Sequence, residues 1–313
     1  DRIVSQTVLH SQVVFGIALR VMLTYVFLFV LFGAVLERTG ATDFIIALST
    51  RLFRARRGAP AKVAVISSGL MGSLSGSAVA NTATTGTFTI PLMRSAGFKR
   101  EHAAGVEAAA SSGGALVPPI MGAGAYMMLE IVDPPVTYLQ IIAAAVVPAI
   151  LYYTSLLLIV HLQSVEQTAG AAASDDLPLA KPAGLLFATA FAILILFLIL
   201  GFTPFRAVSQ SLLAVLIQAA LQPVTRIRAS DLVAIAQRTA SAGVSLIAAA
   251  ACVGIVIGVV TLTGIGSRLP GVLIPLAQSN LALALILLMV STIILGMGLP
   301  SACLLYTSAA ADE

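Results

Sequence analysis

The segment from Gly72 to Gly86, GSLSGSAVANTATTG, sets hydroxyls and one amide at short intervals inside an apolar region. Ser73, Ser75 and Ser77 occupy alternate positions; Asn81, Thr82, Thr84 and Thr85 follow. Neutral oxygens at this density suit a hard cation such as Na⁺, and the unpaired N–H groups at a helix start favour a carboxylate. A second interruption, SSGGALVPP over Ser111 to Pro119, joins two adjacent glycines to a Pro-Pro pair. Both weaken a helix, and the carbonyls they free can replace a cation's hydration shell. A third, GMGLP, runs from Gly296 to Pro300. Small residues also allow close helix packing, and Gly-Pro combinations also make plain kinks. Packing does not account for Asn81 beside three threonines, whose donors need partners in hydrocarbon.

Other chemistries fit less well. Glu107 and Glu130 fall near the ends of their apolar segment, where snorkelling or local pairing is expected rather than proton transfer. His10, His102 and His161 lie at segment boundaries and are given no ligand role. A phosphate loop would need Gly-Lys-Ser/Thr, which does not follow the glycines. An intramembrane serine hydrolase could take Ser75 as nucleophile but has no histidine at depth, and an aspartyl version has no pair of aspartates in spans. Cys252 and Cys303 read as small buried side chains, with no disulfide or metal pattern.

The surroundings of these residues are hydrocarbon. The 313 residues are 59% hydrophobic and 10% charged, with mean hydropathy +1.03, far from the roughly 25% charge of soluble domains. Apolar runs Val13 to Leu36, Ala103 to Val132, Ile141 to Val160, Ala183 to Phe202 and Leu232 to Leu262 reach the roughly 20 residues of a spanning helix. None alternates as barrel strands do. The net charge of +4 sits mostly at span boundaries, so it reports topology and implies no nucleic-acid partner. These features predict an all-α integral membrane protein embedded in lipid.

Arg51, Arg54, Arg56, Arg57 and Lys62 precede the Gly72 segment, while Arg94, Lys99 and Arg100 follow it, so both flanks are expected to be cytoplasmic. The 31 residues from Lys62 to Leu92 are too few for two full spans of about 40 residues. A re-entrant helical hairpin over 62–93, with its tip near Ser75 to Ala80, satisfies both facts. A broken helix is expected over 103–132 and a helix over 141–160, completing a first repeat, 1–162. A cytoplasmic loop (163–182), connecting helices (183–228) and the start of a second repeat (229–302) follow. Ala207 to Leu221, with Ser209, Gln210, Ser211 and Gln218, is the weakest span. Shifting the chain by 224 positions lays Thr39-Gly40 on Thr263-Gly264, Ile66-Ser-Ser68 on Val290-Ser-Thr292, and Gly72 on Gly296. Five crossings between the copies invert the second, the arrangement of secondary transporters.

The stretch Met71 to Met93, with Glu107 to Gly122, Gly258 to Gly264 and Leu295 to Pro300, resembles the large permease subunit of tripartite ATP-independent periplasmic (TRAP) transporters. The similarity covers roughly residues 1–302 and is nearest the fused permeases of the TAXI subgroup. It implies a Na⁺-driven elevator transporter of a bacterial or archaeal cytoplasmic membrane. Such a permease imports an organic acid, for example a dicarboxylate or keto acid, delivered by a TAXI-type periplasmic binding protein. It also implies a small four-helix membrane subunit, separate or fused upstream, with Na⁺ as coupling ion and no cofactor. Ser73 and Ser75, with carbonyls at Gly114, Val117 and Pro119, match that family's first Na⁺ site. Gly296, Met297 and Gly298 match the symmetry-related site; Asn81 and Thr82 are the expected substrate contacts. After Pro300 the chain departs from the pattern. Residues 303–313 are expected to be non-native and the chain a fragment truncated at its C-terminus. Two alternatives stay open: an ion-coupled carboxylate carrier without a binding protein, and an intramembrane hydrolase.

Overall fold

The computed structural model describes residues 16–53, 57–132, 134–166, 181–222, 225, 227–263 and 280–296. Every regular element among them is helical. In chain order they are α1 (Ile17–Val21), a π-helical turn (Met22–Val26), α2 (Phe27–Arg38), α3 (Ala41–Phe53), α4 (Ala59–Ser75), α5 (Ala78–Ser95) and α6 (Arg100–Gly113). A 3-10 turn (Gly114–Leu116) precedes α7 (Ala123–Ile131), α8 (Tyr138–Glu166), α9 (Lys181–Ile199), α10 (Pro204–Leu221), α11 (Ala229–Thr263) and α12 (Leu281–Gly296). Among the described residues, five stretches are long and apolar enough to cross a membrane: Leu19–Arg38, Tyr138–Ser164, Lys181–Ile199, Pro204–Leu221 and Ser230–Cys252.

Local chemistry explains the breaks that matter for the site. The α4 helix starts behind Gly58 with proline in its first turn and ends at Gly76, whose N–H bonds the Gly72 carbonyl at 2.9 Å. Gly76 has φ +59, a left-handed conformation that glycine adopts without a Cβ penalty. The next residue, Ser77, is extended, and its Oγ accepts the Ala80 N–H at 3.4 Å, capping α5. So α4 and α5 form a helical hairpin with its tip at Gly76–Ser77. The apolar run 103–132 is likewise not one rod. Helix α6 stops at Gly113, the 3-10 turn follows, and the chain passes through a cis Pro118–Pro119 bond and Met121 at φ 55 before α7 begins.

The described residues belong to two compact units, 1–27 with 123–137 and 241–313, and 28–122 with 138–240. In the first, the Tyr25 and Tyr126 rings stack at 6.1 Å and 8°. In the second, Ala61, Ala64 and Val65 of α4 pack with Met93, Phe98, Ala103, Val106, Ala110 and Val160 in a buried cluster. Its outer face is apolar: α8 exposes Val147, Ile150, Leu151 and Leu158, a surface suited to lipid rather than water.

The weak span owes its low hydropathy to polar residues that bond another helix. Ser211 Oγ donates to the Ala190 carbonyl at 2.6 Å, and Thr189 Oγ1 donates to Gln218 Oε1 at 2.6 Å, so α9 and α10 are joined by hydrogen bonds. Lys62, the last residue of the basic cluster before the Gly72 segment, is buried; its ammonium donates to the Arg57 carbonyl at 2.7 Å and to His161 Nδ1 at 3.0 Å. One expectation needs correction. Cys252 is an exposed free thiol rather than a buried side chain, because its stretch of α11 shows an apolar face that has no need of a covering helix in lipid. Cys303 and the tail 303–313 lie outside the described residues, as does most of the 163–182 loop.

Candidate cation and substrate site

The hairpin meets the broken segment backbone to backbone. A Cβ added at Gly72 would lie 2.1 Å from Gly114 Cα, and one at Gly114 would lie 2.6 Å from Gly72 Cα. At the tip, a Cβ on Gly76 would sit 2.0 Å from the Met121 carbonyl oxygen. Glycine is required at these crossings because nothing larger than hydrogen fits.

Of the residues expected to hold a cation, Ser73 is buried on α4 and its hydroxyl donates to the Leu70 carbonyl at 2.6 Å. Ser75, half-buried at the tip, bonds the Ser77 backbone: Oγ donates to the Ser77 carbonyl at 3.4 Å, or accepts its N–H at 3.5 Å. Both hydroxyl oxygens retain lone pairs. The Gly114 carbonyl accepts the Val117 N–H at 3.2 Å. The Tyr138 hydroxyl reaches both the Pro119 carbonyl, at 2.8 Å, and that of Ile120, at 2.9 Å, so the Pro119 oxygen already has a donor. Gly296 is the last residue of α12; Met297 and Gly298 lie outside the described residues.

Asn81 and Thr82, expected to touch substrate, differ in position. The Thr82 side chain is half-buried and donates to the Ala78 carbonyl at 2.9 Å. Asn81 is only 1% exposed. Its Nδ2 donates to the Ser68 carbonyl at 2.7 Å and would lie 3.0 Å from a Cβ on Gly114. Its Oδ1 is buried without a hydrogen-bond partner. An orphan buried acceptor costs about 1–3 kcal/mol, so it marks either stored strain or the place of an absent donor or cation. This geometry aligns Asn81 with the Gly72–Gly114 crossing and removes it from open contact with solvent.

The structure also corrects the reading of Glu107. It does not snorkel to an interface; it is 0% exposed. Its Oε1 accepts from Ser68 Oγ at 2.8 Å, from Ser111 Oγ at 3.0 Å and from Thr85 Oγ1, while Oε2 accepts from Thr89 Oγ1 at 2.6 Å. Local pairing was expected, but three of these partners come from the other two helices. The readable signal was a pair of i, i+4 polar stripes, Thr85/Thr89 on α5 and Glu107/Ser111 on α6.

A family model described as "Tripartite ATP-independent periplasmic transporter, DctM component" matches residues 2–310. A 78-residue segment is 37% identical to a protein of Haemophilus influenzae that carries the name TRAP transporter large permease protein. It is 38% identical over 78 residues to the 2,3-diketo-L-gulonate TRAP transporter large permease protein YiaN of Escherichia coli. Each of these matches spans 25% of this chain and 18% of the relative. With the family match running almost from end to end of a chain whose described elements are all helices, several of them long and apolar, this protein belongs to the TRAP transporter family, as a large permease of the DctM type.

Proposed function

We propose that this chain forms part of a Na⁺-coupled secondary transporter that imports an organic acid across a bacterial or archaeal cytoplasmic membrane. The observation that carries the reading is the orphan Asn81 Oδ1 at the hairpin–broken-segment crossing. Buried neutral oxygens with spare lone pairs and no fixed donor fit a monovalent hard cation, and a hydrogen-bond donor alone gives no reason to bury such an acceptor beside bare backbone. Ser73, Ser75, Asn81 and the carbonyls of Gly114 and Val117 would hold Na⁺, which would supply positive charge near the tip. The first turn of α5, capped by Ser77 and exposed at Val79, offers its N–H groups to a substrate carboxylate, with Thr82 one turn further along. An acidic substrate also agrees with the acid sugar in the name of the Escherichia coli relative.

In TRAP systems the large permease works with a periplasmic binding protein and a small membrane subunit. We assign both partners to this chain, the binding protein being of TAXI type. The elevator motion would carry the hairpin, since its tip is the part of the site that is half-open.

The test is uptake into proteoliposomes holding the full-length permease, its small subunit and its binding protein. Asn81→Ala and Ser75→Ala should each raise the Na⁺ concentration needed for half-maximal uptake about tenfold, equivalent to about 1.4 kcal/mol, with normal expression. Unchanged Na⁺ dependence in both variants would remove the cation site from the hairpin.

A further inference from the structure

The chain gathers exposed cations at one end of the second unit, and local folding explains why they stand outward. At the α5–α6 turn Gly97 has φ +93, and the Phe98 N–H bonds the Met93 carbonyl at 3.1 Å, so a left-handed glycine closes α5. Phe98 is buried in one cluster with Ala61, Ala64 and Val65 of α4 and Val160 of α8. With that ring turned inward, Arg94, Lys99 and Arg100 on either side of it are exposed. The start of α4 meets the same end of the fold. Lys62 bonds His161 near the end of α8, and a Cβ on Gly58 would lie 2.0 Å from Ser164 Oγ. Arg57, just before Gly58, and Arg51, in the last turn of α3, are exposed as well.

Five exposed cations thus come from three segments, 51–53, 57–62 and 94–102, in which Glu101 is the accompanying acid. Among the described residues no carboxylate pairs with any of the five, whereas Arg38 pairs with Asp231 and Arg238 with Glu37. Like charges gathered at one end repel one another, and an anionic surface relieves that repulsion. The apolar surroundings indicate which anion. Leu162 adjoins His161 and Leu52 adjoins Arg51; both leucines are exposed, and Leu158 and Ile159 continue the exposed face along α8. A phosphodiester that carries acyl chains satisfies the cations and the leucines together, while an acidic protein surface would satisfy the cations alone.

We propose that this end of the protein is a binding surface for the headgroup of an anionic phospholipid. Arg94, Lys99 and Arg100 hold its phosphate, Arg51 and Arg57 add charge at the rim, and its acyl chains lie along the exposed α8 face at Leu158 and Leu162. Each guanidinium can fork onto two phosphate oxygens, and Lys99 serves as a point charge. Because Gly97 and Phe98 fix the turn without any ligand, little ordering of the backbone opposes binding. This goes beyond the transport reading and requires only that the chain sits in a bilayer.

The experiment is native mass spectrometry of the full-length permease in neutral detergent, titrated with phosphatidylglycerol or with phosphatidylcholine of the same acyl chains. Wild type should bind phosphatidylglycerol about tenfold more tightly. A cation near an anionic lipid surface is worth about fivefold, so the triple variant Arg94→Gln, Lys99→Gln, Arg100→Gln should lose at least tenfold in phosphatidylglycerol affinity and keep its phosphatidylcholine affinity. Arg206→Gln neutralises an exposed cation at the start of α10 and should leave the ratio unchanged. Equal wild-type affinity for the two lipids would overturn the proposal and hand the patch to an acidic protein. A wild-type ratio in the triple variant, or an equal loss in Arg206→Gln, overturns it as well. If the triple variant fails to fold, wild type alone decides: its preference should fall several-fold as ammonium acetate rises from about 0.05 to about 0.5 M, and a preference indifferent to salt refutes it. The readout involves neither transport nor Na⁺, so its failure and that of the uptake test are separable.

Discussion

Replacing Gly72 by alanine is the sharpest test of how the hairpin seats on the broken segment. The new Cβ would lie 2.1 Å from Gly114 Cα and 2.9 Å from its carbonyl carbon, whereas real Cβ atoms almost never approach within 3.0 Å. The obstructing atoms are backbone, so no rotamer change relieves the clash, and the two chains must part by close to an ångström. Overpacking of this kind costs about 1–3 kcal/mol, set against about 1 kcal/mol gained from the better helix propensity of alanine. A net loss of up to about 2 kcal/mol is expected, a fall of several degrees in Tm at the upper end. Gly105→Ala is the control: a Cβ there meets nothing within 4 Å, so it should keep the propensity gain and leave Tm unchanged or higher. The chain has no tryptophan, so far-UV circular dichroism of the purified protein in detergent is the appropriate probe. The same shift should displace Asn81 from Gly114 and weaken Na⁺ dependence in uptake. If Gly72→Ala behaves like Gly105→Ala in both assays, the backbone-to-backbone crossing is not how the hairpin seats.

Tyr138→Phe removes the donor shared by the buried Pro119 and Ile120 carbonyls, and should lower stability by about 1–3 kcal/mol in the same melts. A loss under about 0.5 kcal/mol would mean water or another donor replaces it. Asp231→Ala removes two interactions at the start of α11: Oδ2 accepts the Arg228 N–H at 2.8 Å, and Oδ1 accepts from Arg38. Arg38 is 56% exposed, so its ion pair should contribute little, and the bond to the Arg228 N–H should carry most of the effect. Most of the Asp231→Ala loss should therefore survive high salt; a loss abolished by salt would reverse that division.

Much of this protein follows from its sequence without coordinates. Composition alone demands lipid, since a chain 59% hydrophobic and 10% charged cannot cover itself in water. The interruptions at Gly76–Ser77 and Gly113 to Gly122 were readable because Gly and Pro act on the backbone locally, at the residue where they stand. The family could be recognised from the same stretches. What each oxygen does was not readable, because its partner depends on residues distant in the chain. Pro119 offers a carbonyl in sequence, but only the fold brings Tyr138 to it. Asn81 reads as an open polar contact until Ser68 and Gly114 close around it. Glu107 reads as an interfacial acid, one to two turns into its helix, because position in a helix measures depth only along one axis. Tertiary packing set Ser68, Thr85 and Thr89 around it from two other helices and so decided that the carboxyl is buried.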